Sequence, residues 1–106
     1  MKEITPKELK VLMDEKKEFQ LIDVRDQHEI DLCKIIGGET INFYEILEKS
    51  DQINRKKKVI LYCRSGQRSA TAINFLEKQC EFDNLYNLKG GILKWRDDID
   101  SSIPLY

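Results

Sequence analysis

The chain has little of what cross-links a scaffold. Its three cysteines, Cys33, Cys63 and Cys80, are odd in number and far apart. That excludes a disulfide framework, and no C-x-x-C pair suggests zinc or a thioredoxin-like redox site. The only histidine is His28, so no second imidazole is available for a metal site. Both prolines, Pro6 and Pro104, lie near the ends, and no repeat, low-complexity tract or Pro/Gly/Ser-rich linker divides the chain. One domain over residues 1–106 is expected. No apolar run approaches the roughly 18 residues that cross a bilayer, and Met1-Lys2-Glu3-Ile4-Thr5-Pro6 lacks the apolar core of a secretory signal. Eighteen Lys and Arg against nineteen Asp and Glu leave no global field for a phosphate backbone or an anionic membrane. The expected setting is a reducing cytoplasm, with neither nucleic acid nor membrane as partner.

Hydrophobic residues at 41% and charged residues at 35% suffice for one packed interior in a chain of this length. Thr5-Pro6-Lys7-Glu8 joins a cap hydroxyl, a proline at the first helical position and a carboxylate three residues after the cap. Leu9, Leu12 and Met13 follow at helical spacing, so the pattern predicts a helix over about 6–16. Phe19 to Val24 reads as a short buried strand, Asp26 to Cys33 as a short helix and Thr40 to Phe43 as another strand. A helical stretch is expected near Tyr44 to Ser50, with Ile46, Leu47 and Ile53 as its apolar members. Val59-Ile60-Leu61-Tyr62 is the strongest strand, and Gln67 to Gln79 forms a helix with Ala70, Ile73 and Leu76 along one stripe. Leu85 to Leu88 then reads as a strand, Gly90-Gly91 as a turn and Ile92 to Ile99 as the last helix. Strands alternating with helices imply an α/β fold with a mainly parallel sheet covered on both faces, and ligands in such folds bind beyond the carboxyl ends of the strands.

The loop that leaves the strongest strand reads Cys63-Arg64-Ser65-Gly66-Gln67-Arg68-Ser69. A strand end running into a helix N-terminus lets successive N–H groups curl around one point, with the helix dipole adding positive potential there. A thiol of ordinary pKa, about 8.5, is a few per cent ionised at neutral pH. One lowered to about 6 by such surroundings is mostly thiolate, a gain of about 3 kcal/mol for the charged form. Gly66 keeps side chains out of the turn, and Arg64 and Arg68 can add positive charge. For an arbitrary cysteine, burial as a small hydrophobe is the commoner role. A polar, arginine-bearing loop between strand and helix favours a reactive one.

Low-pKa cysteine phosphatases carry C-x5-R, which would require arginine at position 69, where this chain has Ser69. The pattern present, C-x-x-G-x-R-S, resembles the active loop of rhodaneses, a sulfurtransferase family whose loop surrounds the outer sulfur of a cysteine persulfide. The resemblance covers essentially the whole chain. Leu21-Ile22-Asp23-Val24-Arg25 with His28-Glu29 looks like the family's early Asp-x-Arg signature. Gly37 and Ile41-Asn42 fall where the family has Gly-His-Ile-Pro-Gly-Ala and Ile-Asn, although Cys33-Lys34-Ile35-Ile36 departs from the first part. Leu88-Lys89-Gly90-Gly91-Ile92-Leu93-Lys94-Trp95 is similar to the closing Leu-x-Gly-Gly-x-x-x-Trp. Cys33, Ile99-Asp100 and Ile103-Pro104-Leu105-Tyr106 resemble the rhodanese domains fused behind adenylyltransferases of molybdopterin and thiamine biosynthesis.

The resemblance implies a five-stranded, mainly parallel sheet and a catalytic Cys63, with Arg64, Ser65, Gly66, Gln67, Arg68 and Ser69 binding the substrate. It implies no metal or organic cofactor. The donor would be anionic, such as thiosulfate, or a persulfidated protein, and the acceptor a nucleophile such as a ubiquitin-like sulfur-carrier protein. Other features have simpler readings. Asp23 and Arg25 are scaffold for backbone amides and a local ion pair; His28 sits on an exposed helix; Cys33 and Cys80 are packing residues; Trp95 anchors the last helix. Arg55-Lys56-Lys57-Lys58 is a solvated loop that could dock an acidic carrier. Two rivals stand beside sulfur transfer: a small phosphatase or arsenate reductase, and a non-catalytic binding module of the same fold.

Overall fold

Five strands and four α-helices, alternating except between the third and fourth strands, lie along residues 1–106, the whole of which the computed structural model describes. In chain order they are β1 (Glu3–Ile4), α1 (Pro6–Asp14), β2 (Phe19–Asp23), α2 (Gln27–Leu32), β3 (Glu39–Thr40), β4 (Lys58–Tyr62), α3 (Gln67–Cys80), β5 (Leu85–Leu88) and α4 (Gly91–Asp98). All neighbouring strands are parallel, in the order β1-β5-β4-β2-β3. The strand that carries the cysteine loop is therefore central.

Alternate residues of β4 feed two separate cores, which is why its sequence is apolar without a break after Lys58. Val59, Leu61 and Cys63 pack with Ile22, Val24, Leu85 and the α3 residues Ala72, Ile73 and Leu76 on one face. Ile60 and Tyr62 pack with Leu9, Leu88, Ile92 and Trp95 on the other, beneath α1 and α4. Trp95 thus takes the anchoring place the sequence suggests. The capping box at Thr5 forms as read: Thr5 Oγ1 accepts from the Glu8 amide at 3.1 Å and Glu8 Oε1 from the Thr5 amide at 2.9 Å.

Three expectations need correction. The stretch at 44–50 is not an α-helix but is bracketed by two 3₁₀ turns, Phe43–Glu45 and Ser50–Gln52. Asn42 Oδ1 caps the first by accepting from the Tyr44 amide, while Ile46 and Ile53 still reach the core. The third strand is only Glu39–Thr40. In α3 the buried stripe is Ser69, Ala72, Ile73 and Leu76, one position away from Ala70, which is half-buried. The two-residue β1 is an addition to the elements read from the sequence; it supplies the fifth strand by pairing with Asn87 and Leu88. No helix is long and apolar enough to cross a membrane.

Candidate functional site

Cys63 follows the last residue of β4 and is 1% exposed. Its backbone end belongs to the hydrophobic core, but its sulfur faces polar hydrogens. The Gly66 amide donates to Sγ at 3.1 Å, the Ser69 amide at 3.4 Å, and Ser69 Oγ lies 3.3 Å away. Gly66 makes this possible. With φ at +102° it occupies the left-handed region as N-cap of α3, turning its N–H back onto the sulfur. The amides of α4 hold the rim from behind: Ile92 N–H donates to the Cys63 carbonyl at 2.9 Å and Leu93 N–H to that of Arg64 at 3.2 Å. Such close approach requires glycine at 91, where a Cβ would stand 2.6 Å from the Cys63 carbonyl oxygen.

The loop's charged side chains do not point into this cup. Arg68 reaches sideways to α2 and forms a fork with Glu29, at 2.7 and 2.8 Å. Arg64 donates through Nε and Nη2 to the backbone oxygen of Tyr106, the former at 2.6 Å. Tyr106 ties these pairs together, because its hydroxyl accepts from Arg25 Nη1 at 2.8 Å and donates to Glu29 Oε2 at 2.9 Å. Burial and the neighbouring carboxylate hold that phenol at about 12, although Arg25 pulls the other way. Ser65 and Gln67 are exposed on the outside of the loop.

Arg25 and Asp23 lie beneath the site in the scaffolding position expected of them. Arg25 is fully buried and meets Asp23 at 2.8 to 3.2 Å through Nε and Nη2. Burial alone would lower its pKa, but the hydrogen bonds to Asp23 and Tyr106 outweigh it and hold the guanidinium charged. Burial pushes the adjoining Tyr62 phenol up. His28 is exposed, and no three His, Cys, Asp or Glu side chains gather where they could hold a metal ion. Cys33 and Cys80 are half-buried against the two cores. Arg55 is drawn from the basic run onto the Phe82 ring, 3.8 Å from its centroid, and onto the Cys80 carbonyl.

Three site residues escaped the sequence reading of the loop. Glu29 and Tyr106 stand far from it in the chain. Asn87, a buried polar residue in the apolar strand β5, accepts from Ser69 Oγ at 2.6 Å and donates to the Gly66 carbonyl at 3.0 Å. A polar residue inside a strand buried on both faces is the signal that could have singled it out.

The Glu29 fork has a pH signature. Hydrogen bonding from Arg68 first, with help from Tyr106 and the Asp26 amide, brings the Glu29 carboxyl down to about 2 against the upward push of burial. A carboxyl lowered in the folded state adds stability above its ordinary value of 4.5, which disappears as pH falls from there to about 2. The loss is at most about 3 kcal/mol, reduced because Arg68 is partly open to water. Glu29→Gln should flatten this segment of the stability curve in urea unfolding at stepped pH. An unchanged slope would contradict the assignment.

Comparison with known proteins shows the family of the chain. The chain matches the rhodanese-like domain over residues 5–98, and it belongs to that family. It is 35% identical over 108 residues to the probable adenylyltransferase/sulfurtransferase MoeZ of Mycobacterium tuberculosis, covering 97% of this chain and 26% of the relative. Similarity to YtwF of Bacillus subtilis is 32% identity over 98 residues, 92% of this chain and 93% of that one. The rhodanese-like domain protein of Staphylococcus aureus superposes with a TM-score of 0.83 at 30% identity, over 93% of this chain and 95% of that one. The chain therefore spans about a quarter of MoeZ and nearly all of YtwF.

Proposed function

We propose that this protein is a sulfurtransferase in which Cys63 carries sulfur between a donor and an acceptor as a persulfide. The observation that carries the reading is the convergence of the Gly66 amide, the Ser69 amide and the Ser69 hydroxyl on one sulfur atom. Donors aimed at a single point favour an anion there. The Cys63 thiolate attacks the outer sulfur of thiosulfate; a Cys63 S–S bond forms, the donor's S–S bond breaks, and sulfite leaves with the electron pair. A nucleophilic acceptor then attacks the outer sulfur of the persulfide. Cyanide yields thiocyanate in this way, and the Cys63 thiolate is regenerated, so no net oxidant or reductant is needed.

The amides of Arg64 through Ser69 surround the transferred sulfur in this scheme, with Arg64 at the rim on the Tyr106 backbone oxygen. A persulfidated protein serves equally as donor, and a ubiquitin-like sulfur-carrier protein is the proposed physiological acceptor; the word sulfurtransferase in the name of MoeZ supports sulfur transfer itself. The test is intact-mass measurement after incubation with thiosulfate. A gain of one sulfur atom, mapped to the peptide containing Cys63 and removed by cyanide, is expected. Phosphate release from an aryl phosphate, with no sulfur adduct from any donor, would overturn the proposal.

A further inference from the structure

The hydrogen of the Ser69 hydroxyl has two claimants. Ser69 Oγ is 2.6 Å from Asn87 Oδ1 and 3.3 Å from Cys63 Sγ, and a hydroxyl has a single hydrogen to donate. The Asn87 amide is not free to turn. Its Nδ2 donates to the Gly66 carbonyl at 3.0 Å, which leaves Oδ1 directed at Ser69. Asn87 is 5% exposed and Ser69 fully buried, so the allocation of this hydrogen is settled inside the protein.

With a neutral thiol, Ser69 donates to Asn87 and its oxygen lone pair accepts the Cys63 S–H. Once the thiol proton has left to water, that lone pair faces a negative sulfur, and the hydroxyl must turn its hydrogen towards Sγ. Asn87 Oδ1 then loses its donor. We infer that Asn87 is a positioning residue that sets how strongly Ser69 supports the sulfur anion, by competing for its hydroxyl hydrogen while pinning Gly66, the source of another donor to the sulfur. The inference rests on the reading of Cys63 as the anionic nucleophile.

Apart from Lys89, the charged groups around the loop already have partners. From α2, Glu29 is forked with Arg68, which lies within electrostatic reach of Cys63. At the end of β2, Asp23 holds Arg25. Arg64 is on the Tyr106 backbone oxygen, Asp26 accepts from Asn42, and Lys94 of α4 pairs with Asp98. Lys89, after β5, is exposed. Among the groups bonded to Sγ, only Ser69 brings a rotatable hydrogen.

The test follows the ultraviolet absorbance of the thiolate across pH, in a full-length background carrying Cys33→Ser and Cys80→Ser. Asn87→Leu removes the competing acceptor at similar volume, and the thiolate fraction at neutral pH should rise about threefold or more. Asn87→Asp, a near-isosteric change, strengthens the acceptor and should lower it by a similar factor. In a Ser69→Ala background the rise should vanish, leaving at most the fall that comes from unpinning Gly66, and the second shift should shrink to its through-space part. Shifts of the same size with and without Ser69, or no shift in either variant, would overturn the inference. If Asn87→Leu loses its circular dichroism signature of folding, the aspartate arm decides. The titration requires no sulfur donor, so failure to form a persulfide would refute the proposed activity without touching this result.

Discussion

Cys63→Ser should lose sulfur transfer by at least about a thousandfold while keeping its fold to within about 1 kcal/mol. A serine hydroxyl is not ionised near neutral pH, and oxygen cannot form the disulfide-like bond through which a sulfane sulfur is reversibly carried. The fold is insensitive for a complementary reason. The Gly66 and Ser69 amides that meet Sγ can donate to an oxygen as well as to sulfur, and the atom exchanged lies at the polar end of the residue. Thiocyanate formation from thiosulfate and cyanide measures the first effect and thermal unfolding the second. Residual turnover above a few per cent would remove Cys63 from its role. Cys33→Ser and Cys80→Ser serve as controls that keep the adduct.

The largest loss of stability is expected at Arg25. Arg25→Met preserves much of the side-chain volume but strips Asp23 of its counter-charge at a site where Asp23 is 2% exposed. It also removes the donors that meet the Cys33 carbonyl at 2.6 Å and the Tyr106 hydroxyl at 2.8 Å. Breaking a buried pair from one side costs about 3–5 kcal/mol, because the remaining charge is neither hydrated nor matched. For a domain near this size that corresponds to a fall in Tm of roughly 15–30 °C. Calorimetry should show it, and Asp23→Asn in the same chain should recover part of it by removing the stranded charge. A loss below about 1 kcal/mol would mean that water reaches Asp23 after all.

What could be read from the sequence was whatever is encoded locally. The apolar run Val59 to Tyr62, the Thr5-Glu8 capping box and the cysteine loop each carry their own short-range reason for existing, and β4, α1 and the bend at Gly66 follow from them. The two-residue strand Glu3–Ile4 has no periodicity to detect; it exists because the Lys2 and Ile4 carbonyls accept from Asn87 and Lys89 on a neighbouring strand. The 3₁₀ turns have the apolar spacing of a helix, and the Asn42 cap with the burial of Ile46 and Ile53 decides their form. At the site, spacing located Arg68 beside the nucleophile but could not disclose that Glu29, 39 residues away, claims its guanidinium. Tyr106 and Asn87 were hidden for the same reason, since their partners are set by tertiary packing rather than by neighbours in the chain.

The engagement of both loop arginines elsewhere has a consequence for range. With the charge of Arg68 offset by Glu29, the pull felt at the sulfur arises chiefly from oriented peptide groups and one hydroxyl, and a dipole's potential falls away more steeply with distance than that of a net charge. Such a cup discriminates at contact but does little to gather ligands from solution, so the encounter is left to diffusion and to whatever surface brings the donor in.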